Sequence, residues 1–176
     1  PATPPHLRPR PSLPSGIRTL PARYYTDRGH FGREREAIHF DMWLCAGRSE
    51  QPPSAGSYFV RRVADASVIV LRDETGALRA FHNTCRHRGT LLCKGEEGKL
   101  ASRIQCAYHG WTYGLDGRLR NAPHMEKVEG FREADYPLGA VAVAEWDGHV
   151  FIHLGPDPAP LEEQIGGLLE KFRPWR

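Results

Sequence analysis

Phe81-His82-Asn83-Thr84-Cys85-Arg86-His87-Arg88-Gly89 is followed, at Cys106-Ala107-Tyr108-His109-Gly110-Trp111-Thr112-Tyr113, by a second run that again presents a cysteine and then a histidine. Residues 78–83 and 99–105 both read as strands, so each pair sits on a loop at a strand end. In extended chain, residues two apart carry side chains on one face roughly 6 to 7 Å apart, which is wide for neighbouring ligands on one tetrahedral ion. Two adjacent metal ions relax that constraint. Cys85 and Cys106 can then bind one and His87 and His109 the other, each loop contributing once to each. Thiolate with imidazole is the ligand set of a mixed iron–sulfur centre. The competing reading is a single zinc ion that staples the two loops through the same four residues.

Outward from these loops the chain reads as short strands between turn residues. Residues 43–47, 58–63, 68–72, 112–113, 118–119, 138–145 and 149–154 join the two strands already named. Asp73-Glu74-Thr75-Gly76 makes a hairpin of 68–72 with 78–83, and Asp116-Gly117 and Asp147-Gly148 are further turn signals. Such spacing predicts a mainly β fold, an antiparallel sandwich or barrel with a helix at each end. The organisation expected is a proline-rich disordered arm over residues 1–22, a helix over 23–42 capped by Thr26 or Asp27, the β domain over 43–155, and a linker and helix over 156–176. The leading helix places Phe31 and Ile38 on its apolar side. Helical spacing in the trailing one is carried by Leu161, Ile165, Leu168, Leu169 and Phe172.

Bulk properties exclude more than they assign. The 176 residues suffice for one sizeable core. Their 24 basic and 21 acidic residues are scattered, which speaks against nucleic acid and leaves room for a partner with an acidic face. No apolar run approaches the roughly 18 to 20 residues of a membrane helix, and the N-terminus lacks the apolar core of a secretory signal, so a cytoplasmic protein without membrane contact is expected. Four cysteines do not suggest the disulfide frame of a small secreted domain. Cys45 and Cys93 read as inert buried thiols, and His149 and His153, roughly 13 Å apart along a strand, as packing or surface residues.

Together with Asp116-Gly117-Arg118-Leu119 and Ala122-Pro123, the two quoted runs resemble the Rieske motif of ring-hydroxylating oxygenase large subunits, and the likeness extends from about Tyr24 through Trp175. The resemblance implies a [2Fe-2S] cluster on Cys85, His87, Cys106 and His109, with the imidazoles bound through their inner nitrogens and the outer ones near the surface. Respiratory-type Rieske proteins add a disulfide-bonded cysteine to each loop; Thr90 and Tyr108 stand in those places here. In the oxygenase type Trp111 helps form a contact with a neighbouring subunit. Arg86 or Arg88 is expected to meet a redox partner. Residues 24–27, 33–36 and 43–48 resemble the branch acting on choline, betaine and related quaternary amines as much as the aromatic-ring branch.

By that resemblance the chain would accept electrons from a separate reductase or ferredoxin, since it holds no Gly-x-Gly-x-x-Gly dinucleotide fingerprint. It would pass them to a mononuclear Fe(II) in the catalytic domain of a neighbouring subunit, in a typically trimeric enzyme that hydroxylates or demethylates. The carboxylate followed by paired histidines that would hold that iron does not occur in these 176 residues, so the stretch is expected to be one relay of a longer enzyme. A free-standing Rieske ferredoxin is the alternative.

Overall fold

The computed structural model describes residue 16 and residues 18–175, so most of the expected proline-rich arm lies outside the described residues. The chain divides into two compact units, residues 1–33 and 34–176. In the first, the expected helix is interrupted: α1 (Arg23–Thr26) ends at Asp27, whose extended backbone breaks it, and α2 (Arg28–Glu34) begins directly after. The Asp27 carboxylate accepts the His30 N–H at 2.7 Å, the capping role expected of it. A π turn over Arg35–His39 then opens the second unit, where α2 also ends. Phe31 and Ile38, expected on an apolar side, are both exposed.

The second unit is mainly β. A seven-stranded antiparallel sheet runs in the order β1 (Leu44–Arg48), β10 (His149–His153), β9 (Ala140–Trp146), β4 (Leu78–His82), β3 (Ala66–Arg72), β2 (Ser57–Val63), β5 (Glu97–Lys99). A smaller sheet pairs β6 (Arg103–Gln105), β7 (Thr112–Gly114) and β8 (Leu119–Asn121). Residues 99–105 are therefore not one strand. The chain pairs with β2 up to Lys99, leaves that sheet, and pairs with β7 from Arg103.

β3 explains how the two sheets share an interior. Val68, Ile69, Val70 and Leu71 are each fully buried, and because successive side chains point to opposite faces, they feed two different cores. Ile69 and Leu71 join Phe81, Ile104, Trp111, Tyr113, Leu119 and both loop cysteines, whereas Val68 and Val70 join Ala46, Phe59, Val150 and Ile152. Each such side chain contributes about 1.5 to 3 kcal/mol of apolar burial. The first core lies under the two Cys/His loops and carries them on a packed floor.

The β3–β4 turn is fixed by Asp73, which is 4% exposed. Its carboxylate accepts the N–H groups of Thr75 and Ala77, the Thr75 hydroxyl at 2.6 Å and Arg79 at 2.9 Å. Burial pushes its pKa up, but these donors outweigh burial and hold it at about 2. A pKa depressed on folding gives stabilisation that is complete above the ordinary carboxylate range and lost as pH falls towards 2, here roughly 2 kcal/mol. Asp73→Asn should accordingly flatten the stability-against-pH curve between about pH 4 and 2, which urea titrations across that range would read. An unchanged slope would refute the role.

α3 (Leu161–Phe172) appears where its periodicity predicts and buries Leu161 and Ile165. Gln164 ties it to the chain leading into β1, accepting the Trp43 N–H at 2.8 Å and donating to the Trp43 carbonyl at 3.1 Å. Leu168 and Phe172 on the same helix stay exposed. Among the described residues no helix is long and apolar enough to cross a membrane.

Candidate metal centre

The two loops are built alike. The Gly89 N–H donates to the Cys85 carbonyl at 3.0 Å and the Gly110 N–H to the Cys106 carbonyl at 3.1 Å. Each loop is then closed by its cysteine N–H, donating to Thr90 in one and Trp111 in the other. Both glycines sit at φ near +70°, a conformation that costs a side-chain-bearing residue and leaves glycine free. The equal count from cysteine to glycine, four residues in each loop, is the sequence signal for this equivalence.

This construction sorts the four candidate residues by type. Cys85 and Cys106 are buried, 2% and 3% exposed, on the core floor, while His87 and His109 are half-buried nearer the surface. The imidazole rings meet with centroids 4.6 Å apart at 69°. Nδ1 of His109 is buried without a hydrogen-bond partner, an arrangement that costs about 1 to 3 kcal/mol unless something binds it. Burial lowers the pKa of His87, with further lowering by His109 and Arg88, which favours the neutral ring that a metal ligand needs. Among the described residues no three histidine, cysteine or acidic side chains are grouped as one metal ion would need.

Tyr113 marks the sulfur side. Its hydroxyl oxygen accepts the Arg86 N–H at 3.0 Å and lies within hydrogen-bond distance, 3.4 Å, of Sγ of Cys85. Burial, then the Cys85 hydrogen bond, pushes its pKa well up, with the Cys85 and Cys106 charges acting in the same direction.

Asn83 fixes the base of the first loop. It is 1% exposed; its side-chain oxygen accepts the N–H groups of Leu92 and Cys93, and its NH2 donates to the Cys93 carbonyl at 2.7 Å and to Ser67. Residues 84–92 are thereby pinched into a closed excursion. Neither Tyr113 nor Asn83 carries a role in the sequence reading.

Trp111 corrects an expectation. It is 2% exposed and stacks on His87, with centroids 4.9 Å apart at 9°. A ring covered this way has no surface to offer a neighbouring subunit. Cys45 is exposed instead of buried. Cys93 is buried as expected, and burial pushes its thiol up to about 11. His153 is buried and accepts the Gly155 N–H; His149 contacts Arg48 at 3.1 Å. Both are the packing and surface histidines their spacing implies. Arg86, Arg88 and Arg103 are exposed.

A family profile described as "Rieske [2Fe-2S] domain" matches residues 42–132, which include both loops. The chain belongs to this family. Among curated proteins, the Rieske chain is 38% identical over 150 residues to a carnitine monooxygenase oxygenase subunit of Escherichia coli (strain K12), covering 85% of this chain and 40% of that protein. It is 36% identical over 160 residues to a glycine betaine monooxygenase oxygenase subunit of Chromohalobacter salexigens, covering 91% and 36%. Among solved structures, the apo form of the quaternary ammonium Rieske monooxygenase CntA superposes with a TM-score of 0.83 at 33% identity, covering 88% of this chain and 45% of that one. The Rieske chain thus spans less than half the length of these relatives.

Proposed function

We propose that Cys85 and Cys106 hold one iron and His87 and His109 the other iron of a Rieske [2Fe-2S] cluster, and that the chain relays single electrons within an oxygenase. The observation that carries this reading is the sorting of the site: two buried sulfurs beside a phenol hydroxyl, two imidazoles in contact further out, and a ring nitrogen of His109 left unpartnered. A cluster bound here would supply one-electron storage at roughly −150 to +300 mV, above the about −400 mV of plant-type ferredoxins, because two neutral ligands replace two thiolates.

The residues around the site suit that work. Tyr113 donates towards Cys85, which favours the more negative, reduced state; the interior core keeps water from the sulfurs; the half-buried histidines keep the outer side within reach of a partner. Arg86 and Arg88 flank His87 on the surface and favour a donor protein with an acidic face. The donor is a separate reductase or ferredoxin, and the acceptor a mononuclear iron in the catalytic domain of a neighbouring subunit of a homotrimer. Relatives named for carnitine and glycine betaine favour a quaternary amine as the substrate of the whole enzyme. Four free thiols among the described residues suit a reducing cytoplasm.

The decisive test is anaerobic purification of the chain followed by assay of iron and acid-labile sulfide and an EPR spectrum after reduction. Iron and sulfide in equal amounts with a Rieske-like signal are expected. Zinc without sulfide would overturn the reading.

A further inference from the structure

Six aromatic rings make one continuous chain through the site. Tyr108 lies on His109 with centroids 3.7 Å apart, His109 meets His87 at 4.6 Å, and His87 stacks on Trp111 at 4.9 Å. Trp111 is in turn met edge-on by Phe131 and Tyr136, both at 5.8 Å, and those two stack on each other at 5.0 Å. The two imidazoles are therefore supported unequally. His109 leans on Tyr108, which is 60% exposed, whereas His87 lies against an indole that is 2% exposed and backed by two further rings.

The support of His87 is also non-local. Phe131 and Tyr136 come from the segment after β8, around a short 3-10 turn at Glu133–Asp135, and Tyr136 lies beyond the residues that the family profile matches. An imidazole turns about its Cβ–Cγ bond in a broad torsional well, so a half-exposed histidine does not hold one plane by itself. A parallel ring at 9° restricts that rotation, and edge-on partners stop the indole from tilting in response.

From this asymmetry we infer that Trp111, braced by Phe131 and Tyr136, is the positioning residue for His87. It fixes the plane in which that imidazole is presented, while the ring stacked on His109 is the exposed Tyr108. The inference rests on the proposed ligand role of His87.

The test uses the 176-residue chain before and after loading with iron and sulfide, in the unsubstituted form and as Trp111→Leu, Trp111→Phe and Tyr108→Leu. Before loading, the ring current of Trp111 should displace the His87 ring C–H resonances upfield in NMR. Trp111→Leu should abolish that displacement, Trp111→Phe should retain most of it, and Tyr108→Leu should leave it unchanged. After loading and reduction, two imidazole nitrogen couplings are expected by pulsed EPR. In Trp111→Leu one of them should broaden while the other stays sharp, and Trp111→Phe should restore it. Where Trp111→Leu does not fold, Phe131→Leu with Tyr136→Leu leaves the indole in place and should still weaken the His87 displacement. An unaltered His87 resonance in Trp111→Leu, or in the double variant, overturns the inference. Failure of the unsubstituted chain to take up a cluster would instead sink the ligand assignment, and the resonance of the unloaded chain would still decide the stack.

Discussion

Exchanging His109 for cysteine is expected to lower the reduction midpoint of the loaded chain by on the order of 100 mV or more, since two such exchanges separate the Rieske range from that of all-cysteine clusters. The physical cause is charge. A neutral imidazole becomes an anionic thiolate, so an added electron meets one more negative charge in a site walled by the buried core of Trp111, Tyr113 and Ile104. His109 suits the experiment because its Nδ1 has no protein partner to lose and its ring is only half-buried. The unloaded variant loses the ring contacts with Tyr108 and His87, at about 0.5 to 1.5 kcal/mol each. Protein-film voltammetry gives the midpoint directly. An unchanged value in a variant that still carries iron and sulfide would show that His109 is not a ligand.

What the sequence made legible, and what it hid, divides by the range of the interaction. Val68-Ile69-Val70-Leu71 announces a strand buried on both faces, and the structure places it between two cores. Of the five helical positions in the trailing segment, Leu161 and Ile165 are buried in α3 while Leu168 and Phe172 stay exposed. A local pattern places such elements without deciding which of their positions are covered. The split of residues 99–105 between two sheets was not legible, because nothing in a strand's own composition names its partner: Lys99 finds Ser57 and Arg103 finds Gly114. The same limit hid the burial of Trp111, whose cover of Phe131 and Tyr136 arrives from twenty or more residues downstream. Cys45 misled for a different reason. It lies where β1 bulges against β10 between Cys45 and Gly47, and a bulge re-aims the side chains that simple alternation would assign. At the candidate site the repeated order of cysteine then histidine picked out the four candidate residues, and the resemblance supplied the ligand set. Their sorting into a sulfur side and an imidazole side depends on Tyr113 and on the matched closure of the two loops, which are tertiary facts.

Asn83→Ala is expected to cost the unloaded chain about 3 to 5 kcal/mol, a large part of the 5 to 15 kcal/mol that holds a typical domain together. The side chain removed is 1% exposed and makes four hydrogen bonds, three of them to the backbone of Leu92 and Cys93. Alanine takes the partner from the part-buried Leu92 N–H and from the N–H and carbonyl of Cys93, at about 1 to 3 kcal/mol for each buried group stranded. Asn83→Asp keeps the acceptor for the two N–H groups, but it sets a carboxylate oxygen against the Cys93 carbonyl and buries a charge, so it should be no milder. Urea titration gives the total loss. Amide exchange gives its location: the Leu92 and Cys93 N–H groups should exchange early in Asn83→Ala while those of β3 stay protected, because the bonds lost close the loop and leave the β3 ladder intact. A stability change below about 0.5 kcal/mol, or uniform loss of protection across both sheets, would show that Asn83 does not hold the first loop in shape. The effect reaches the site because Cys85 and His87 ride on the segment that this one amide closes, and two donors held ready lose less conformational entropy on binding a metal group than two on an open loop.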